Sequence, residues 1–201
     1  MKISTQSNNM KNKYASLLST AVLGLCLAGS AFAEKLDLQG KTIVFMGDSI
    51  TEFGFRKDAG YVRLVMKGLE ANGINANGIG KGVCGNKSKD MLARFDKDVI
   101  ANKPDVVTLN AGVNDIWFRD EASTYDKYCE NMTKMIEMAQ GAGAKVVLLT
   151  PTTVFGEGPN ADIKQYADFL RTYAAEHKLP LADTQAAIRA IVDDPATPRL
   201  E

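Results

Sequence analysis

The sequence predicts a three-layer α/β/α sandwich built on a parallel sheet of about five strands. Short β-rich apolar runs recur along the chain, longer stretches with helical spacing separate them, and no Pro/Ser-rich linker divides the whole. Strand and helix alternating in one undivided chain form a doubly wound sheet with helices on both faces.

The N-terminus is set aside first. Lys2, Lys11 and Lys13 precede an apolar stretch from Leu17 to Ala28, followed by Ala31-Phe32-Ala33. This is the pattern of a signal peptide cleaved after Ala33. Leu25 before Cys26 argues against a lipoprotein signal, which needs a small residue there. The apolar run is shorter than the roughly 20 residues of a membrane-spanning helix, so no span is expected after cleavage. The expected organisation is a signal peptide over 1–33 and one domain over 34–201, periplasmic or secreted.

From Lys41 the elements follow in order. Thr42-Ile43-Val44-Phe45-Met46, Val106-Val107-Thr108-Leu109 and Val146-Val147-Leu148-Leu149 are continuous apolar runs followed by loop residues. They read as buried parallel strands. Residues 74–79 form a weaker strand because of their Asn and Gly content, and residues 179–182 a short last one. Helical patterns cover 60–71, 88–101, 123–142, 161–177 and 184–192; in the third, Tyr125, Tyr128, Met132, Met135, Ile136 and Ala139 recur at helical spacing, as a core-facing stripe does.

Composition narrows the function. The 201 residues carry 24 Lys plus Arg and 24 Asp plus Glu, so no basic field for nucleic acid exists. The 17 glycines and 6 prolines follow no period, which excludes collagen-like and low-complexity classes. Cys84 and Cys129 are the cysteines left after the leader, and with neither a Cys/His cluster nor a cysteine framework they read as free thiols rather than a disulfide.

In a doubly wound sheet, ligands bind beyond the carboxyl ends of the strands. Three loops there carry chemistry. Ser49 follows the first strand and Gly47, where a helix start presents free N–H groups to an anion. Gly85 lies in a glycine-rich loop after the second strand. Asn114 lies behind Gly112 after the third, and aims an amide at the same rim. Two backbone N–H groups and one amide would surround a developing oxyanion, each donor contributing about 3 to 4 kcal/mol.

Gly47-Asp48-Ser49-Ile50, Gly85-Asn86 and Gly112-Val113-Asn114-Asp115, in this order and on these loops, resemble the first three motif blocks of the SGNH (GDSL-type) hydrolases. The resemblance implies a flavodoxin-like sandwich and a serine esterase that needs no cofactor or metal. It implies Ser49 as nucleophile and the Ser49 N–H, Gly85 N–H and Asn114 amide as oxyanion hole, with Asp115 supporting that loop.

The family's last block, an Asp-x-x-His that supplies the general base, is missing from these residues. The single histidine, His177, has Ala174 three residues before it. It reads as the solvated end of a polar helical face. The expectation is a domain that is incomplete at its C-terminus, lacks its C-terminal helix and is nearly inactive as written.

Gly80-Lys81-Gly82-Val83-Cys84-Gly85 also satisfies a dinucleotide fingerprint, but it follows the second strand rather than the first. The acidic residue about 20 positions on, Asp105, opens a strand instead of closing one. Nucleotide binding is therefore not expected. A lone histidine and two distant cysteines make no zinc site. Trp117 and Phe118 are placed to line an acyl or sugar subsite, and Phe53 and Phe55 a small acyl pocket; the loop 155–159 is a rim. The expected substrate is a small-molecule or carbohydrate ester, with small acyl groups on polar alcohols preferred. A non-catalytic module that keeps the pocket without a base, or a lysophospholipase or thioesterase of the same family, fits the same motifs.

Overall fold

A computed structural model describes residues 36–153 and 160–194. Residues 1–35, 154–159 and 195–201 lie outside the described residues, and with them the expected cleavage site, the rim expected over 155–159 and the chain's last residues.

Five strands form one parallel sheet in the order β2-β1-β3-β4-β5: β1 (Thr42–Gly47), β2 (Asn77–Gly82), β3 (Val106–Asn110), β4 (Lys145–Leu149) and β5 (Leu181–Ala182). This is the flavodoxin-like order, whose switch point falls between β1 and β3. Register brings the strand ends level there, with Gly47 beside Gly82 on one side and Asn110 on the other. The loops after β1, β2 and β3 consequently leave the sheet at one height.

Alternation along the strands divides the core. Val44, Met46, Val107, Leu109, Val146 and Leu148 point to one face, against helices α3 (Ser88–Ala93), α6 (Tyr125–Gly141) and α7 (Asn160–His177). Tyr128, Met132, Met135, Ile136 and Ala139 of α6 are fully buried, so the stripe read at helical spacing is core. Ile43, Phe45 and Val106 point to the other face, where α2 (Tyr61–Ala71) supplies Val62, Val65, Met66 and Leu69.

Three expectations about elements change. The second strand starts at Asn77 and runs on through Gly82. Gly78, Gly80 and Gly82 share one face of it. A Cβ on Gly78 would meet Met66, one on Gly80 the Phe55 ring, and one on Gly82 the Glu52 nitrogen at 2.0 Å. The missing side chains let α2 and α1 (Ser49–Arg56) lie directly on the sheet edge, which explains Gly80 and Gly82, the first two glycines of the pseudo-fingerprint, as packing. The helix expected over 88–101 is broken at Arg94 into α3, α4 (Phe95–Asp98) and a 3₁₀ turn (Ile100–Asn102). The short helices α1 and α5 (Val113–Trp117) arise inside segments read as loops. The last described helix is α8 (Thr184–Val192).

Candidate functional site

Each loop at the rim is shaped by local chemistry. Ser49 is the first residue of α1, and Asp48 caps that helix by accepting the Ile50 N–H at 2.9 Å. Asp48 is only 1 % exposed, and burial pushes its carboxyl up to about 6, against the opposing bond from Ile50. Thr51, buried in the first turn of α1, shares a hydrogen bond of 2.9 Å with the Tyr61 hydroxyl, which anchors α1 to α2. Gly85 sits in the left-handed region at φ +78, on the loop between β2 and α3. Asn114 is the second residue of α5 and is buried; Gly112, at φ +122, turns the chain into that helix.

The loops are tied to one another. Between the first and second, the Val83 N–H donates to the Gly47 carbonyl at 3.1 Å, and the Cys84 N–H to the Glu52 carboxylate at 2.8 Å. Arg94 braces both: its guanidinium donates to the Gly47 carbonyl at 2.9 Å, the Lys81 carbonyl at 3.0 Å, the Asn86 side-chain oxygen at 2.7 Å and Asp98 at 2.8 Å.

Between the second and third loops, three successive residues reach across. The Asn86 carbonyl accepts from the Asn114 amide at 2.9 Å, which leaves that amide's second hydrogen available to a ligand. The Lys87 ammonium donates to the Phe118 carbonyl, to Asp120 at 2.6 Å and to the Ser123 hydroxyl at 3.4 Å. Ser88 bonds to Asp115 through both its N–H and its hydroxyl. Asp115 thus holds the loop as the motif resemblance implied, and burial raises its carboxyl above the ordinary value despite those bonds. The chain therefore brings Ser49, Gly85 and Asn114 onto three cross-linked loops at the switch point.

Other singled-out residues go elsewhere. His177 ends α7 and stacks on Tyr173 with ring centroids 4.1 Å apart. Because α7 runs back from the carboxyl rim, this places the imidazole at the opposite edge of the sheet from Ser49. Phe55 is half-buried against Gly80 and beneath Arg63, whose guanidinium lies 4.6 Å from its ring centroid, so it belongs to the smaller core rather than to an acyl pocket. Phe53, Trp117 and Phe118 are exposed. Cys84 and Cys129 are free thiols. Asp105 accepts the Thr42 N–H at the amino edge of the sheet. Among the described residues no cluster of His, Cys, Asp and Glu is arranged for a metal, and no helix is long and apolar enough to cross a membrane.

Sequence reasoning missed the tying residues Glu52, Lys87, Ser88 and Arg94. Only Ser88, as the first polar residue of a helical pattern, carries a legible signal, that of a helix start.

Known proteins resemble this chain. Residues 45–200 match the GDSL-like Lipase/Acylhydrolase family. An acetylxylan esterase of Geobacillus stearothermophilus is 30% identical over 177 residues, covering 76% of this chain and 80% of that protein. Esterase TesA of Pseudomonas aeruginosa is 29% identical over 161 residues, covering 80% and 77%. The crystal structure of an acetyl xylan esterase, AlAXEase, superposes with a TM-score of 0.68 at 31% identity, covering 78% of this chain and 84% of that one. Solved structures of the Geobacillus enzyme, similar at 26–28% identity, include catalytic mutants in which a serine, a histidine or an aspartate is replaced by alanine. The match spans most of the chain, so this protein belongs to the GDSL-like lipase/acylhydrolase (SGNH) family and is, by family, a carboxylic ester hydrolase.

Proposed function

We propose that the protein is an exported esterase that removes acetyl groups from carbohydrate, with Ser49 as nucleophile. The observation that supports this reading is the bond from the Asn114 amide to the carbonyl of Asn86, the residue that follows Gly85. The acetylxylan esterases among its relatives favour a small acyl group on a sugar hydroxyl. Export follows from the leader pattern, with the mature domain over 34–201.

The Ser49 hydroxyl attacks the ester carbonyl carbon and gives its proton to a base. The carbonyl electrons move to oxygen, where the N–H groups of Ser49 and Gly85 and the free hydrogen of the Asn114 amide receive the charge. Collapse breaks the bond to the sugar oxygen, which takes the proton. Water then repeats the sequence on the acetyl-serine and releases acetate. In the family that base is the histidine of Asp-x-x-His; the 201 residues contain only His177. His177 lies at the opposite sheet edge, which favours a second reading, that these residues alone bind carbohydrate esters without turning them over.

The test fuses to the full chain the Asp-x-x-His segment of the Geobacillus relative and follows acetate release from acetylated xylo-oligosaccharides. Ser49→Ala should remove turnover by roughly 10⁴ or more, and Asn114→Ala by roughly 10² to 10³. Release that persists in Ser49→Ala would overturn the assignment.

A further inference from the structure

Two exposed aromatic side chains stand one helical turn beyond Asn114. Trp117 is 51% exposed and Phe118 62%. They occupy the i+3 and i+4 positions from Asn114, and the Phe118 N–H donates to the Asn114 carbonyl at 3.0 Å as a helical turn requires. Side chains three and four apart share a helix face and lean toward its N-terminus. Trp117 thus lies on the Asn114 side of α5, and Phe118 follows directly as the residue that caps the helix. α1 repeats this: Phe53, also exposed, lies at i+4 from Ser49.

The backbone that follows the rings is not an ordinary surface loop. It is built around the ammonium of Lys87, a residue only 9 % exposed. Besides the Phe118 carbonyl, Asp120 and Ser123, the knot contains the Asp120 N–H to Ser123 hydroxyl bond at 2.8 Å, the Ser123 hydroxyl to Asp120 carboxylate bond at 2.8 Å, and Lys89 on Asp120 at 3.1 Å. Ser123 is fully buried. Lys87 lies between Asn86, which bonds to Asn114, and Ser88, which bonds to Asp115. A buried cation with several oxygen partners fixes a segment more strongly than a solvated ion pair. Burying a charge to hold two exposed rings in place makes sense if those rings must meet something.

We propose that Trp117 and Phe118 form a stacking platform for the sugar ring of the ester substrate, and that Lys87 is the positioning residue that latches the platform to the loop carrying Gly85. The inference rests on the carbohydrate-ester reading above and adds its alcohol subsite. The flat apolar face of a pyranose ring packs on an aromatic ring, while the ester it carries reaches toward Asn114 and Ser49.

Trp117 is the chain's single tryptophan, so its fluorescence reports on this platform alone. The full chain is titrated with xylotetraose and with its acetylated form, following tryptophan emission and, independently, the heat of binding. The expected result is a shift of emission that tracks the heat. Lys87→Met should weaken binding by about 5- to 10-fold and raise acrylamide quenching of Trp117 in the absence of sugar, and Lys87→Arg should restore much of both. If Lys87→Met does not fold, Asp120→Ala opens the same latch from its exposed side and should move both readouts in the same direction. Heat of binding without any emission change, or equal affinity in the folded latch variants, overturns the platform and leaves the carbohydrate reading standing. No heat with either oligosaccharide overturns both.

Discussion

Ser88 gives both its hydroxyl, at 2.5 Å, and its backbone N–H to the carboxylate of Asp115, and both residues are fully buried. Asn131 of α6 adds its amide to the Ser88 hydroxyl at 3.1 Å. The third loop is thereby joined to the start of α3 and to the core helix behind it. Asp115→Ala strands two buried donors, and should cost about 3 kcal/mol and lower the melting temperature by roughly 6 to 12 °C. Asp115→Asn keeps one acceptor oxygen and should cost less. Thermal unfolding of the two variants checks the order.

Asp48 gives the folded state a pH dependence of definite sign. Burial holds its folded carboxyl at about 6, above the ordinary value of 3.8 it has when unfolded. The folded state therefore binds the proton more tightly. Its contribution to stability is fully present below about pH 4 and is lost as pH rises through about 6, by up to about 3 kcal/mol. Asp115 acts in the same direction; carboxylates held low, such as Asp98 and Asp183, act oppositely. The measurement is accordingly a difference. Asp48→Asn keeps the acceptor for the Ile50 N–H and removes the titration, so its stability relative to wild type should rise between pH 4 and 7.5. A difference flat across that range would mean that Asp48 titrates normally.

Glycines near the site separate close approach from backbone strain. A Cβ at Gly82 would lie 2.0 Å from the Glu52 nitrogen, 2.6 Å from the Thr51 carbonyl carbon and 2.7 Å from the Asp48 carbonyl oxygen, all backbone. No rotamer relieves this, so Gly82→Ala must push α1 and Ser49 off the sheet edge, at about 3 kcal/mol or more. Gly85 has open space around its Cβ position but a φ of +78, so Gly85→Ala should cost only about 1 to 2 kcal/mol. Gly68, inside α2 with nothing nearby, should gain about 0.5 to 1 kcal/mol as alanine. Urea unfolding of the three variants would test that ranking.

The core strands and the long helices were legible because apolar periodicity is set by burial, and the residues that face the core are what a sequence pattern records. β2 was misplaced for the same reason: its inward residues are Gly78, Gly80 and Gly82, and the apolar surface covering it comes from Met66 and Phe55. Ser49, Gly85 and Asn114 could be placed after strand ends because turn-associated residues such as Gly47, Gly85 and Gly112 mark where each strand stops. The cross-links were not legible. Lys87 is a lysine with an ordinary sequence context, and its burial depends on Phe118, Asp120 and Ser123 folding back across more than 30 positions. Arg94 likewise reads as an exposed helix residue, whereas it breaks the helix and braces two loops.

The position of His177 sets the expected activity of these 201 residues. Its ring stacks on Tyr173 at the end of α7, and β5 follows before the chain returns to the rim at Asp183. Asp183, although on the rim side, is engaged by Arg171 at 2.7 and 2.8 Å and by Thr150 at 3.1 Å, with its carboxyl held low. Burial lowers that carboxyl's freedom to ionise, but Arg171 outweighs it, so Asp183 is a poor proton acceptor. A serine hydroxyl without a base is a weak nucleophile near neutral pH, and lacking one triad member lowers turnover by roughly 10⁴ to 10⁶. The 201 residues alone should therefore hydrolyse p-nitrophenyl acetate at least roughly 10⁴ more slowly than the same chain carrying an added Asp-x-x-His segment. His177→Ala should leave that slow rate unchanged, since its imidazole is on the far edge of the sheet. Fast, Ser49-dependent hydrolysis by the unextended chain that His177→Ala abolishes would refute this and require α7 to deliver its C-terminal end to the rim.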